Sequence, residues 1–267
     1  MKKKYIIMNI FSSLFSSSSS SSSSERPHRA STRRNVSSQG QRRRGGTRRT
    51  YGQSKNSKPI DPRERYIYDL KELYPLCQHD NEKEKEKAQY PEHSITYGEM
   101  TYEGLETLYE RVRPLFQQRG DEMKAFLDVG SGRGKLSLYM AAKEEINSSV
   151  GIELVESRVD DAERLLDQLA EKHKRFTSKV KFLNDDIFNI DLEDLDDGPT
   201  FVWFSNLCFE PKTTDAIYKK LVQELPRNSV ICSSKAPSKI TNKMKACEPA
   251  TIPMSWNQAS QVYIYQV

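Results

Sequence analysis

The stretch FLDVGSGRGKLSL, Phe126–Leu138, constrains this chain more than any other. An apolar, strand-like run passes into three glycines spaced two apart, and an amphipathic pattern follows at once. Glycine reaches backbone conformations closed to other residues and presents no side chain. The loop therefore serves a tight turn, the close approach of a ligand, or both. A strand handed to a helix through such a loop opens an α/β unit.

The sequence downstream repeats that unit. SSVGIEL reads as a strand, and SRVDDAERLLDQLAEKHKRF follows as a helix with Val159, Ala162, Leu165, Leu166 and Leu169 on one stripe. KVKFLNDD and TFVWFSN read as strands, TTDAIYKKLVQEL as a helix, and SVICSSK as another strand. SQVYIYQV alternates like a last strand. The alternation implies a mostly parallel sheet covered on both faces. Upstream, ERYIYDLKELY has helical spacing, DNEKEKEKAQY is a charged connector, and YEGLETLYERVRPLF places Leu105, Leu108, Val112 and Leu115 on one helical face that should end near Pro114. Three parts result: a tail over 1–60, a helical part over 61–122 and a core over 123–267.

Charge separates the first part from the rest. Residues 1–60 carry 14 Lys/Arg and one acid, Glu25, a net of +13, and the remaining residues carry a net of −8. Nine serines at 16–24 precede a run of Arg, Ser, Gly and Gln with little to bury, which predicts disorder. Arginine clusters at 33–34, 42–44 and 48–49 fit a solvated tail, a nuclear address or a nucleic-acid clamp. A basic arm on an acidic body favours a polyanionic partner. The start, MKKKYIIMNIFSSLF, has too short an apolar patch for a good secretory signal. Cys77, Cys208, Cys232 and Cys247 form neither a C-x-x-C pair nor a zinc pattern, so free thiols in a reducing compartment are expected.

Two common readings of the glycine loop fail. G-x-G-x-x-G is absent, as is the phosphate loop G-x-x-x-x-G-K-[ST]. The pattern Asp128-Val-Gly-Ser-Gly-Arg-Gly134 instead resembles the S-adenosylmethionine loop of Rossmann-like methyltransferases. Glu153 ends the second strand, 19 residues after Gly134, near the spacing of a ribose-binding acid. Asp186, or Asp185, ends the third strand. A turn glycine, an exposed glutamate and a capping aspartate are the bland readings of these residues; their order at successive strand ends favours the cofactor site.

Five stretches carry a closer resemblance. YGEMT at 97–101, DVGSGRGK, VWFSNLCFEP, VICSSK and MSWNQASQVYIY are similar, in order, to segments of the disruptor-of-telomeric-silencing family, histone lysine methyltransferases without a SET domain. The resemblance implies a class I methyltransferase fold and S-adenosylmethionine as cofactor. It places Tyr97, Glu99 and Thr101 in a lid over the methionine end, and Asp128, Gly130, Ser131, Gly132 and Lys135 along that end. Glu153 would hold the ribose, and Asp186 and Ile187 the adenine. Ser205 and Asn206 would lie where lysine and methyl group meet, with Asn206 also touching the cofactor; Trp256 and Tyr263 would wall the lysine channel. Implied partners are histone H3 in nucleosomes and DNA held by residues 26–49, with a monomer in the nucleus and no metal. Two residues depart from the family pattern: Lys135 replaces a glutamine, and Ser205 the first asparagine of an Asn-Asn pair. Alternatives are a methyltransferase acting on another protein lysine or on RNA, and a weakly catalytic cofactor-binding chromatin module.

Overall fold

All five residues of strand β1 (Ala125–Val129) are buried, so the sheet is covered on both sides from its first strand. The computed structural model describes residues 60–75, 98–118, 120–193 and 198–267, all within one unit spanning Asn56–Val267. The expected tail apart from Ile60, the charged connector, Cys77 and Tyr97 lie outside the described residues.

Four more strands run with β1: β2 (Ser148–Glu153), β3 (Val180–Asn184), β4 (Thr200–Phe204) and β5 (Val230–Ser233). The pairs β1·β2, β2·β3, β1·β4 and β4·β5 are all parallel. β8 (Ser260–Gln266) pairs antiparallel with β5, and the short β6 (Lys245–Ala246) and β7 (Ala250–Ile252) pair with its other edge. The order β3-β2-β1-β4-β5-β8-β6 reverses direction beside β1. A ligand crevice belongs at the carboxyl ends of strands at such a reversal. The mostly parallel, helix-covered sheet is the expected class I methyltransferase architecture.

Two apolar clusters flank the sheet. One gathers helices α1 (Pro62–Leu73), α2 (Tyr102–Gln117), α3 (Lys135–Met140) and α4 (Glu156–Thr177). The other lies under α5 (Pro211–Glu224). α1 begins at Asp61, whose carboxylate accepts from the Arg63 amide at 2.9 Å. Its buried Tyr66 donates to the Leu138 carbonyl at 2.7 Å and stacks on Phe176.

Two helices differ from the sequence expectation. α2 continues through Pro114 to Gln117. Proline there removes one backbone bond, but the fully buried Phe116 ties the last turn into the core, and the Gln266 side chain donates to the Leu115 carbonyl at 3.3 Å. Phe116 thus takes the place expected for Leu115, which is only partly buried. α3 stops at Met140 because the chain tightens into turns at Ala142 and Lys143, whose amides reach back three residues.

Candidate active site

The glycine loop leaves β1 with left-handed backbone at Gly130, Gly132 and Gly134, where φ is +79°, +53° and +78°. L residues rarely adopt these values. The amides of Gly130 and Ser131 both donate to the Ile152 carbonyl, which folds the loop against the end of β2. Two of the three glycines have different reasons to be there. A side chain at Gly134 would overlap the Phe182 ring, so this glycine serves packing. At Gly130 the nearest atom to an added Cβ is Ser205 Cβ at 3.6 Å, which leaves room. Gly130 lines a cavity instead.

That cavity, about 590 Å³, opens at the carboxyl ends of β1, β2, β3 and β4. Six carboxylates line it, from Glu99, Asp128, Glu153, Asp185, Asp186 and Glu210, against two cations, Lys135 and Arg158. Glu153 accepts from the Gly132 amide at 2.8 Å and the Val155 amide at 3.0 Å. Asp186 caps the short 3₁₀ turn Ile187–Asn189 by accepting from the Phe188 amide at 3.0 Å.

Asp128 is the unusual member. It is 1% exposed, and among the described residues neither carboxylate oxygen has a hydrogen-bond partner of regular geometry, although the Ser137 hydroxyl stands close enough to favour its charge. Burial first, and the Glu153 carboxylate second, push its pKa well above the usual carboxylate range; the neighbouring Ser137 hydroxyl and Lys135 only partly oppose this. Such a group suits a ligand that brings an ammonium.

Over the cavity, Gly98–Thr101 pairs antiparallel with Pro253–Ser255. Ser255 and Glu99 exchange bonds, amide to carbonyl at 2.7 Å and amide to hydroxyl at 3.1 Å. Met100 bridges Met254, and Thr101 donates from its hydroxyl to the Pro253 carbonyl at 3.0 Å. Trp256 lies on Gly98 so closely that an added Cβ would stand 2.6 Å from its ring. Two segments about 150 residues apart in sequence thus form one wall. Inside it, Lys135 Nζ donates to Glu99 Oε2 at 2.7 Å, and the Tyr74 hydroxyl of the α1 terminus donates to Glu99 Oε1. The rings of Tyr74 and Tyr102 flank the Lys135 ammonium at 5.8 and 5.3 Å.

The structure brings most of the sequence-selected residues together. Glu99, Asp128, Gly130, Ser131, Gly132, Lys135, Glu153, Asp186, Ile187, Ser205 and Trp256 all line the cavity. Three described residues do not. Thr101 caps α2 through the Gly104 amide. Asn206, fully buried, exchanges two bonds with the Lys235 backbone, at 2.8 and 2.9 Å, and so clamps the loop after β5. Tyr263 pairs in register with Ser233, sits in the α5-side cluster and lines a separate recess. Sequence reasoning passed over Gly98, Phe188, Arg158 and Cys208, which line the cavity, and Tyr74, which reaches it through Glu99. For Phe188 a signal existed: a large aromatic stands two residues after Asp186, and the structure leaves it 48% exposed.

Residues 80–258, about two thirds of the chain, match the family described as histone methylation protein DOT1. No curated protein matches the chain. Among solved structures, an RNA methyltransferase from Salinibacter ruber in complex with S-adenosyl-L-homocysteine is similar at 17% identity, covering 60% of this chain and 90% of that one, with a TM-score of 0.42. Magnesium protoporphyrin IX methyltransferase from Synechocystis PCC 6803 with bound SAM is 15% identical over 79% and 99%, with a TM-score of 0.42. An rRNA methylase from Streptococcus thermophilus is 12% identical over 62% and 98%, with a TM-score of 0.44. At that distance none of the three bears on activity or substrate, and the family match decides. The chain belongs to the DOT1 histone methylation protein family and is an S-adenosylmethionine-dependent methyltransferase.

Proposed function

We propose that this chain methylates a lysine in the globular core of histone H3 within nucleosomes, in the nucleus and as a monomer, and that residues 26–49 hold nucleosomal DNA. The observation that carries the reading is the pairing of Gly98–Thr101 with Pro253–Ser255 over the cavity. These are the two segments in which the chain resembles lysine methyltransferases of this family and not methyltransferases at large.

The residues fit the cofactor. An acid-lined cavity with a buried carboxylate lacking a regular hydrogen-bond partner suits a ligand bearing a sulfonium and an ammonium. Asp128 would take the ammonium, Glu153 the ribose hydroxyls, and Asp186 with Ile187 and Phe188 the adenine. Lys135 and Glu99 would face the methionine end. The bound cofactor supplies an electrophilic methyl group on sulfur.

The chain's own work is to position and to desolvate. The target lysine must lose its proton before it attacks, although its free pKa is about 10.4. Burying the lysine side chain in the cavity beside Trp256 would withdraw its ammonium from water, and that desolvation lowers the value. Ser205, at the end of β4, offers the lysine nitrogen a hydroxyl inside the cavity. Holding the nitrogen in line for displacement supplies most of the acceleration. Asn206 contributes indirectly, by fixing the loop that follows β5.

Radiolabelled methyl transfer to reconstituted nucleosomes, with mapping of the labelled residue, tests the reading. Label on a histone H3 lysine supports it. Label on RNA or on another protein in preference to nucleosomes would replace it, and cofactor binding with no transfer to any substrate would favour a binding module.

A further inference from the structure

Of the six acids along the cavity wall, five already have a task. Glu99 accepts from Lys135 and Tyr74. Asp128, Glu153 and Asp186 are the acids that the cofactor would engage. Asp185 accepts from the Asp186 amide at 2.7 Å and from the Asn189 side chain at 2.8 Å, so it braces the turn that carries Asp186. Glu210 is the sixth, and neither the fold nor the cofactor accounts for it.

Glu210 is the N-cap of α5, where a side chain that accepts hydrogen bonds usually turns to the first-turn amides. Here it does not. Pro211, the first helical residue, has no N–H, and no side-chain bond caps the helix. Only the Glu210 backbone is engaged, its carbonyl accepting from the Thr214 amide at 2.9 Å. The residue is exposed, and its carboxylate has no hydrogen bond or ion pair among the described residues. A helix start favours negative charge, so support of α5 is the bland use of this residue. That use does not require a place on the cavity wall. Glu210 lies there beside Ser205, Cys208 and Phe209, all on the segment that leaves β4.

We propose that Glu210 is a substrate-binding residue that captures the ammonium of the incoming lysine before the side chain is desolvated beside Ser205 and Trp256. The assignment rests on the function proposed above, in that the acceptor is a lysine. An ammonium and a sulfonium are like charges that must meet in one cavity, and a carboxylate on its wall offsets part of their repulsion. A carboxylate beside an ammonium also favours its charged form. Glu210 therefore serves capture, and the proton is lost to water only after the amine has moved inward. Selection follows from the same contact: a cationic side chain is admitted in preference to a neutral one of equal length.

The test uses the full chain. With nucleosomes as substrate, Glu210→Gln should raise KM about fivefold, the upper range for an exposed charge pair. Its kcat should not fall, because the contact is made to the ammonium and not to the amine that reacts. Melting temperature should hold, as should calorimetric affinity for both S-adenosylmethionine and S-adenosyl-L-homocysteine. Direct contact is read by nitrogen-15 resonances with S-adenosyl-L-homocysteine bound. Amides of residues 208–210 and 212–213 should shift with N-acetyl-lysine methylamide and not with N-acetylnorleucine methylamide, which lacks the ammonium. Glu210→Gln should abolish that difference. An unchanged KM, a lowered kcat or an equal response to the two probes overturns the proposal. Weakened binding of S-adenosylmethionine alone would assign Glu210 to the sulfonium, and a lowered melting temperature with unchanged KM would assign it to the helix; either result overturns it as well. Wild type that methylates RNA and no lysine refutes the functional reading and this assignment together. Wild type that methylates lysine, with a variant of equal KM, refutes this assignment alone.

Discussion

Lys135 Nζ lies 2.7 Å from Glu99 Oε2, and the two side chains are only 3% and 5% exposed. A sealed ion pair of this kind adds little net stability, but removing one partner strands the other charge in an apolar setting. Glu99→Gln or Lys135→Met alone should therefore lower unfolding free energy by about 3–5 kcal/mol. The double variant should recover much of that loss, because neither charge remains. Denaturant unfolding of all four proteins gives the coupling; simple additivity would mean the two residues do not act as a pair.

Asp128 sets stability against binding. Its raised native-state pKa means the folded protein keeps this proton at pH values where the unfolded chain has lost it. The Asp128 contribution to stability is thus greatest below the ordinary value of 3.8 and declines as pH rises toward the folded value. Asp128→Asn removes that decline, so the variant should melt higher than wild type at neutral pH. It should also bind S-adenosylmethionine about ten- to a hundredfold more weakly, having lost a charged partner for the ammonium. Thermal unfolding and calorimetry on the same samples decide. Calorimetry of wild type in buffers of different ionisation enthalpy should in addition reveal proton release, since a bound ammonium favours the ionised carboxyl.

Glu153 holds both the loop and, on the proposed reading, the ribose. Glu153→Ala frees the amides of Gly132 and Val155 as well as the ligand. Cofactor affinity should fall by at least the ten- to hundredfold expected for a single charged hydrogen bond. Unaltered affinity would remove Glu153 from the site.

The glycines can be separated by alanine. Gly134→Ala drives a methyl group into the Phe182 ring and should lower stability by about 1–3 kcal/mol beyond the backbone strain. Gly130→Ala meets no such obstacle and bears only the strain of its left-handed backbone, so its stability loss should be the smaller and its distinctive effect should be on cofactor binding. If Gly130→Ala is the less stable of the two, the division of labour fails.

Deletion of residues 1–60 should leave melting temperature and cofactor affinity intact while flattening the salt dependence of nucleosome binding. Each phosphate contact releases counterion, and the remaining body is acidic. Coincident salt slopes for full-length and truncated proteins would reduce the arm to an address.

What was legible in the sequence was local. The strand–glycine–helix unit, Glu153 and Asp186 stand at predictable strand ends, because alternation of elements fixes where a parallel sheet presents its carboxyl edge. Residues whose direction depends on register were not legible. Asn206 follows Ser205, yet it turns from the cavity to the Lys235 backbone. Tyr263 alternates with Ile264, so its face depends on the pairing with Ser233, which no local pattern encodes. The Lys135–Glu99–Tyr74 chain joins three elements and has no sequence signature at all.

The pairing of Gly98–Thr101 with Pro253–Ser255 also orders events in time. β8 lies between β5 and the short β6 and β7 strands, so these edge elements have no seat until it arrives. Contacts this distant in sequence close late, after loop entropy has been overcome. A chain emerging from the ribosome can complete β1 to β4 and their helices while the wall over the cavity is still missing. A nascent chain, or one clipped before Pro253, therefore carries the glycine loop without the wall that closes its cavity.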